Sequence, residues 1–193
     1  MDIRMNAIYK AFGDQQVMQD FSCCFPAGRT TCIMGESGCG KTTLLNILLG
    51  LCTPDAGTVE GVPKGNIAVV FQEDRLCENL SAAANIRLTA EKKISDRDLS
   101  DAFRAVNLKE AGHKPVRELS GGMRRRVAVL RAVLAGKECI VMDEPLKGLD
   151  EETRRLTAGY IREKTAGRTL IVVTHDSEEI ALFGAEQVLR MES

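Results

Sequence analysis

The segment Gly35–Thr42 constrains the fold more than any other part of this chain. It reads G-E-S-G-C-G-K-T and joins the apolar, β-branched run Thr30–Met34 to the helical pattern Lys41–Leu51. Glycine permits positive φ angles, so successive backbone N–H groups can turn towards one anion, and the N-terminus of the following helix favours negative charge at the same place. The segment therefore predicts an anion-binding loop between a strand and a helix of a parallel α/β sheet.

The loop also matches the pattern G-x-x-x-x-G-K-[ST] of loops that bind nucleotide phosphates. The Lys41 ammonium is suited to the β- and γ-phosphates, and the Thr42 hydroxyl is a suitable ligand for Mg²⁺. We therefore predict a nucleoside triphosphate site with Mg²⁺. The other positions assigned to it are Gly35, Glu36, Ser37, Gly38, Cys39, Gly40 and Thr43.

Further apolar, β-branched runs occur at Ile67–Phe71, Cys139–Met142 and Thr169–Val173, with helical patterns between them. Strands that are apolar on both faces are typical of parallel sheets covered by helices. Ile3–Tyr9 and Val17–Phe25, separated by a turn, predict an antiparallel β edge at the N-terminus. The predicted fold class is α/β: a P-loop NTPase core with a mixed, mainly parallel sheet.

Residues 74–117 contain no convincing strand, and Ser95 with Asp98 resembles a capping box at the start of a helix. We interpret them as a helical lobe inserted into one domain that spans residues 1–193. The core of that domain would comprise residues 1–73 and 118–193. Asp150 and Asp176 are predicted N-caps of the last two helices.

The strand Cys139–Met142 runs directly into Asp143 and Glu144. Carboxylates at the C-terminal end of a buried strand point into the crevice where open α/β sheets bind nucleotides. Asp143 is suited to hold Mg²⁺, and Glu144 is suited to orient or deprotonate the attacking water. The alternative, a solvated Asp-Glu turn, is weakened by the phosphate loop earlier in the chain.

The tetrad Leu119-Ser120-Gly121-Gly122 lies between the phosphate loop and this acidic strand. Alone it would be read as a turn that opens a helix. Together with the loop and the Asp143-Glu144 pair, it resembles the signature of the nucleotide-binding subunit of an ABC transporter. The resemblance extends over the whole chain and implies ATP hydrolysis.

The resemblance also implies roles for single residues. Gln72 matches the glutamine that contacts Mg²⁺ or the attacking water, and His175 matches the histidine that senses the γ-phosphate. Asp150 lies in the segment that resembles the D-loop. Phe12 matches the ring that stacks on adenine, with Tyr9 as the alternative. Lys41, Gln72, Glu144 and His175 are the expected catalytic residues.

The family arrangement implies a head-to-tail dimer, in which Ser120, Gly121 and Gly122 face the γ-phosphate held by the other subunit. It further implies a separate integral membrane permease and a cytoplasmic position on the inner face of the membrane. The run after Gln72 resembles importer subunits, for which an extracytoplasmic solute-binding protein is a further partner. An export ATPase is the alternative, and the sequence does not identify the transported solute.

Composition and the absence of certain sequence motifs argue against several other classes of protein. The net charge of −1 and the lack of a basic stripe give no support to a nucleic-acid or ribosome-acting relative. A GTPase is disfavoured because the guanine-specifying N-K-x-D pattern is absent from the sequence. No apolar run reaches the roughly 20 residues of a membrane span. The seven cysteines form no C-x-x-C pair, and we expect them to be free thiols in a reducing compartment.

The residues that follow the tetrad carry two further features. Met123 follows it where glutamine is frequent in the family, so a polar contact is changed or lost there. The run Arg124-Arg125-Arg126 is interpreted as a solvated helix face, with phosphates or lipid headgroups as an alternative partner.

Overall fold

The structure is a computed structural model that describes residues 1–191. Residues 192 and 193 of the predicted domain lie outside the described residues. The central sheet consists of β3 (Thr30–Gly35), β5 (Ile67–Val70), β6 (Cys139–Asp143), β7 (Thr169–Val173) and β8 (Gln187–Met191). Its strands are parallel in the order β5-β6-β7-β3-β8. The predicted α/β class is confirmed.

The N-terminal strands β1 (Ile3–Phe12) and β2 (Gln15–Phe25) form the predicted antiparallel pair. They belong to a sheet of their own, which is completed by β4 (Ala56–Glu60) on the other side of β1. β4 was not among the strands predicted from the sequence. All of its residues except Val59 are exposed, so no alternation of apolar and polar residues marks it.

Within residues 1–191, six α-helices connect or flank the strands, and three have the predicted N-caps. The side chains of Ser95, Asp150 and Asp176 each accept a backbone hydrogen bond at the start of the helix that follows them. The helices are α1 (Lys41–Leu48), α2 (Ala82–Arg87), α3 (Asp96–Ala105), α4 (Gly121–Val133), α5 (Glu151–Lys164) and α6 (Ser177–Phe183).

The segment between β5 and β6 is helical. Residues 74–117, all of which the structure describes, hold α2, α3 and part of a 3₁₀ turn at Val116–Glu118. They contain no strand, only an isolated bridge between Ser81 and Pro115. This agrees with the lack of strand patterns in the sequence.

The parallel sheet separates two hydrophobic cores. All residues of β6 and β7 are buried, and alternate residues point to opposite faces. Ile140 and Met142 pack with the helices α2 to α6, whereas Cys139 and Val141 pack with α1 and the antiparallel sheet. Burial on both faces fixes these strands, and so fixes the residues at their carboxyl ends.

Among residues 1–191, no helix has the length and apolar character needed to cross a membrane. All seven cysteines are free thiols. Cys32, Cys39 and Cys139 are buried, and Cys77 is exposed.

Candidate active site

The predicted catalytic residues follow strands that end at one edge of the sheet. Val70 of β5 pairs with Met142 of β6, and Val173 of β7 pairs with both Asp143 of β6 and Ile33 of β3. Parallel neighbours in register present their carboxyl ends together, which is where open α/β sheets bind ligands. The residues that share this edge are Gly35, Gln72, Asp143, Glu144 and His175.

A cleft of about 860 Å³ opens at this edge. It brings together much of the phosphate loop with residues from the ends of β6, β7 and β8. Its lining residues are Met34, Gly35, Glu36, Ser37, Lys41, Glu144, Lys147, His175, Arg190 and Met191.

The phosphate loop needs its glycines for two physical reasons. Gly38 and Gly40 have φ angles of 92° and 97°, which are strained for other residues. A Cβ atom on Gly35 would lie 2.5 Å from Sγ of Cys39 and 2.5 Å from the carbonyl oxygen of Met191. The loop can therefore curl tightly at the end of β3 only with glycine at these places.

Lys41 lies inside this curl. Its Nζ donates to the carbonyl oxygens of Gly35 at 2.8 Å and Glu36 at 2.6 Å. Thr42 and Thr43 follow in the first turn of α1, and the Thr42 side chain is exposed. All residues of α1 are described, and its start has neither a capping side chain nor an acidic residue in the first turn. Its N–H groups and dipole are thus available to an anion.

Asp143 is the last residue of β6 and only 8% exposed. Burial, together with the neighbouring charge of Glu144, raises the pKa of Asp143 above its ordinary value. The cationic groups of Arg125, Lys41 and Lys147 partly offset this rise. A carboxylate in such a place is stabilised by a bound cation.

Glu144 begins the turn after β6 with a φ angle of +47°. A left-handed conformation in a residue other than glycine costs roughly 1–3 kcal/mol and persists only where the surroundings enforce it. Its N–H donates to the carbonyl oxygen of Val173 at 2.9 Å, which ties the turn to β7. This geometry directs the Glu144 side chain into the cleft.

Both carboxylate oxygens of Glu144 have partners. Oε2 lies 2.6 Å from Nζ of Lys147, and Oε1 lies 3.0 Å from Nδ1 of His175. Partial burial alone would raise the pKa of Glu144, but the hydrogen bonds with Lys147 and His175 outweigh it and lower that pKa. Glu144 is therefore held as a carboxylate.

The segment around His175 is fixed by polar contacts with two helices. Thr174 donates through Oγ1 to Glu179 at 2.6 Å, and Asp176 accepts from Arg154 of α5 at 2.7 Å. The ring of His175 stays exposed between these two fixed neighbours. It can therefore reach into the cleft while its backbone is held.

Gln72 is exposed just after β5 and does not line the cleft, but a contact links its loop to β6. Arg125 of α4 donates to the carbonyl oxygens of Phe71 and Gln72 and to those of Asp143 and Glu144. The interpretation of this arginine run as a solvated face is wrong for Arg125, which is 4% exposed.

The neighbouring arginines of the run also have partners in the protein. Arg126 donates to the carbonyl oxygens of Gly122, Val106 and Asn107, and Arg124 pairs with Glu78 at 2.5 Å. The run therefore holds α4 against other segments of the chain.

The tetrad is placed away from the cleft of its own chain. Ser120 caps α4 by accepting from the N–H of Met123 at 3.3 Å. A Cβ atom on Gly122 would lie 3.3 Å from a methyl group of Leu149, so the tetrad packs against the turn before α5. Ser120, Gly121 and Gly122 are not among the residues that line the cleft.

Asp150 and Phe12 also lie outside the lining of the cleft. Asp150 caps α5, and the hydrogen bond from Thr153 lowers its pKa. Phe12, at the end of β1, is 53% exposed, and Nζ of Lys10 lies 5.2 Å from its ring centroid. Tyr9 is half-buried within the strand. Of the two aromatic candidates, Phe12 has the more accessible ring.

Sequence reasoning missed three cationic side chains at or behind the cleft: Arg125, Lys147 and Arg190. The helical spacing could have indicated that Arg125 is buried, because this residue lies on the same helical face as Ala128, Val129 and Ala132, all of which are buried. Lys147 and Arg190 are exposed residues of a turn and a strand, with no pattern that marks them.

Comparison with known proteins identifies a match over most of the site. A family model described as "ABC transporter" matches residues 18–147. The taurine import ATP-binding protein TauB of Roseobacter denitrificans is 35% identical over 90% of this chain and 70% of its own length. The aliphatic sulfonates import ATP-binding protein SsuB 1 of Rhizobium johnstonii is 36% identical over 97% of this chain and 72% of its own length.

Solved structures give the same fold. The ATP-binding cassette MJ0796, in a dimeric post-hydrolysis state bound to ADP and Pi, superposes with a TM-score of 0.82 and 25% identity. That alignment covers 98% of this chain and 95% of the cassette. A second dimeric structure of MJ0796, described as a bacterial ABC transporter cassette, has a TM-score of 0.84 and 26% identity, with 98% and 94% covered.

Proposed function

The chain belongs to the ABC transporter ATPase family, and on that premise we propose that it drives import of a small solute through a separate membrane permease. Binding and hydrolysis of ATP are the activity of this family. The observation that supports import is the similarity, over 90% and 97% of this chain, to two proteins named as import ATP-binding proteins. The names of these two relatives make taurine and other sulfonates the first solutes to test.

In the proposed mechanism, the phosphate loop binds the triphosphate of ATP through its backbone N–H groups and Lys41. Glu144 accepts a proton from the attacking water or orients it. His175, 3.0 Å from Glu144, donates to the γ-phosphate and responds to its loss. Phe12 stacks on adenine, and Tyr9 remains within β1.

Mg²⁺ is the proposed cofactor beside ATP. Thr42, Gln72 and Asp143 offer a hydroxyl, an amide oxygen and a carboxylate, which are oxygen ligands that Mg²⁺ favours. The buried Asp143 supports this assignment, because a cation would offset the burial that raises its pKa. Bound Mg²⁺ neutralises charge that develops on the phosphate oxygens.

We further propose that two subunits act as a head-to-tail pair. Ser120, Gly121 and Gly122 stand at an exposed helix N-terminus that does not line the cleft of their own chain. A helix N-terminus is suited to a phosphate. A second copy, or a paired ABC ATPase, would bring this end to the γ-phosphate, with Asp150 nearby in the interface.

Residues 74–117 form the proposed docking lobe for the permease, within a single ATPase domain. Leu80 and Leu88 are 39% and 62% exposed there, so the lobe offers apolar side chains to a partner. Through this contact the chain would lie on the cytoplasmic face of the membrane. An extracytoplasmic solute-binding protein completes the proposed importer, and no nucleic acid takes part.

A purification and transport experiment tests the proposal. The tagged chain is isolated from detergent-solubilised membranes of its source cells, and the proteins retained with it are identified by mass spectrometry. We expect a polytopic permease. The complex is then placed in liposomes with the retained binding protein, and ATP-dependent movement of labelled taurine and related anions is measured. Export of solute, or retention of ribosomes instead of a permease, would contradict the proposal.

A further inference from the structure

Arg125 is a buried cation with most of its partners on backbone carbonyls. Nη1 lies 2.6 Å from the carbonyl oxygen of Phe71 and 3.4 Å from that of Gln72. Nη2 donates to the carbonyl oxygen of Asp143 and, at 2.7 Å, to that of Glu144. The guanidinium therefore joins the loop after β5 to the turn after β6.

The charge of this group is only partly matched by a carboxylate. Asp74 lies 3.1 Å from Nη1, and its side chain is 26% exposed, against 5% for Arg125. A buried charge is stable only when its donors are satisfied, and a guanidinium carries five of them in a rigid plane. Here the carbonyl oxygens of two loops satisfy most of those donors, so the position of each loop depends on the same rigid group.

We propose that Arg125 is a positioning residue. It holds the loop after β5, which contains Gln72, and the turn after β6, which begins at Glu144, in the relative arrangement that hydrolysis needs. The inference rests on the roles proposed above for Gln72 and Glu144. Arg125 does not line the cleft, so it acts through the two loops and not on ATP itself.

The conformation of Glu144 supports this role. Its φ angle of +47° is one that side chains other than glycine rarely adopt. The N–H of the residue is held by Val173 at 2.9 Å, and its carbonyl oxygen is held by Nε and Nη2 of Arg125 at 3.2 and 2.7 Å. The N–H of Lys147, 3.2 Å away, also donates to this carbonyl oxygen. Without Arg125, the backbone of Glu144 therefore loses its attachment to α4 and keeps only the bonds within the turn and to β7.

A nearby arginine provides a matched control. Arg131, also on α4, donates to the carbonyl oxygens of Asp74 at 3.0 Å and Arg75 at 2.7 Å. It holds the same loop after β5, and the hydrogen bonds of its side chain go to that loop and not to Asp143 or Glu144. Replacing Arg131 tests attachment of the loop alone, whereas replacing Arg125 tests the link between the loop and the catalytic turn.

The first experiment compares Arg125→Lys, Arg125→Gln and Arg131→Lys in the full chain. Lysine keeps the positive charge, but its single ammonium group lacks the planar set of donors with which a guanidinium bridges two loops. We expect kcat to fall at least tenfold in both Arg125 variants, with lysine the milder, while KM for ATP changes less than twofold. Arg131→Lys should keep kcat within twofold. Unchanged kcat in the Arg125 variants, or equal losses in Arg131→Lys, would overturn the inference.

A second experiment separates positioning from a general effect on the fold. Arg125→Lys is introduced into Glu144→Gln, and hydrolysis is followed in single-turnover reactions with excess protein. If Arg125 acts by placing Glu144 against the loop that contains Gln72, the added substitution causes a smaller loss than it does in the wild-type background, because Glu144→Gln has already removed the carboxylate that is being placed. Multiplication of the two losses would contradict positioning, as would failure of both Arg125 variants to fold. A fully active Glu144→Gln would instead refute the proposed role of Glu144.

Discussion

The ammonium group of Lys147 lies 2.6 Å from Oε2 of Glu144, over the cleft that also holds Lys41. The second carboxylate oxygen is 3.0 Å from His175, so both oxygens have partners. A general base must present an oxygen to the attacking water. Each carboxylate oxygen has a second lone pair, so Lys147 and His175 compete with the attacking water for these oxygens without excluding it. The Lys147 side chain is 54% exposed, and an ion pair of that kind is worth at most about 1 kcal/mol.

We predict that Lys147→Met raises ATP turnover roughly two- to fivefold, the factor that corresponds to an exposed pair of that strength. Removing the competing cation frees Oε2 of Glu144, and KM for ATP should change little. Steady-state phosphate release measures the effect, and Lys147→Arg, which keeps the pair, should match the wild type. A drop in turnover would show that Lys147 instead serves the phosphates.

Glu144→Gln should bind ATP normally and lose turnover by about 10²- to 10⁴-fold, the contribution of a positioned general base. ATP should then hold the variant as a dimer, which size-exclusion chromatography with light scattering would detect. Glu163→Gln, on α5 and paired with the adjacent Lys164, is the matched control. Wild-type hydrolysis by Glu144→Gln would refute its assignment as the base.

Lys41→Ala should weaken ATP binding itself. A charge-assisted hydrogen bond contributes about 1.5–3 kcal/mol, so the affinity should fall roughly 10- to 100-fold. Titration with a fluorescent ATP analogue measures the change. Lys92→Ala removes an exposed lysine of the lobe and should leave the affinity unchanged. If the Lys41 variant bound ATP like the wild type, the phosphate-loop assignment would be wrong.

Ser120→Arg should abolish turnover but leave nucleotide binding to the single subunit intact, because Ser120 does not line the cleft of its own chain. Ser120 is also the N-cap of α4, and losing a cap costs about 1 kcal/mol. Ser95→Arg removes the cap of α3 in the same way and controls for that loss. Loss of ATP binding in Ser120→Arg would place the tetrad at its own phosphate loop.

Thiol reactivity should separate the cysteines by burial. Burial raises the pKa of Cys23, Cys32 and Cys139 to about 12, so at pH 8 only about one in 10⁴ of each is the reactive thiolate. Iodoacetamide at pH 8 should label the exposed Cys77 first, as mapped by peptide mass spectrometry. These three thiols should react only after denaturation, and prompt labelling of native Cys139 would contradict the packing of β6.

Much of the site could be predicted from sequence because its parts have local physical requirements. The glycines of the phosphate loop, the N-caps at Asp150 and Asp176 and the apolar runs of β6 and β7 each leave a short pattern. Alternating strands and helices were enough to predict a parallel sheet. The placement of Glu144 and His175 at one edge then follows from that topology.

Other features depend on contacts between distant segments. Arg125 meets Phe71 and Glu144, 54 and 19 residues away, so its burial follows from the fold and not from its neighbours in the chain. β4 forms because it pairs with the edge of β1 as an antiparallel strand, although its own residues are mostly exposed. Such features need the tertiary structure, and the helical spacing of Arg125 with buried alanines was only an indirect sign.

At Glu144, the requirements of stability and activity oppose each other, because the left-handed backbone disfavours the side chain that hydrolysis needs. Glycine would adopt a φ angle of +47° without strain, whereas glutamate is strained in this conformation. Glu144→Gly should therefore retain the fold at little or no loss of stability while losing the carboxylate on which hydrolysis depends. Stability alone would therefore permit glycine at this position, and the glutamate serves hydrolysis against the conformational preference of the backbone.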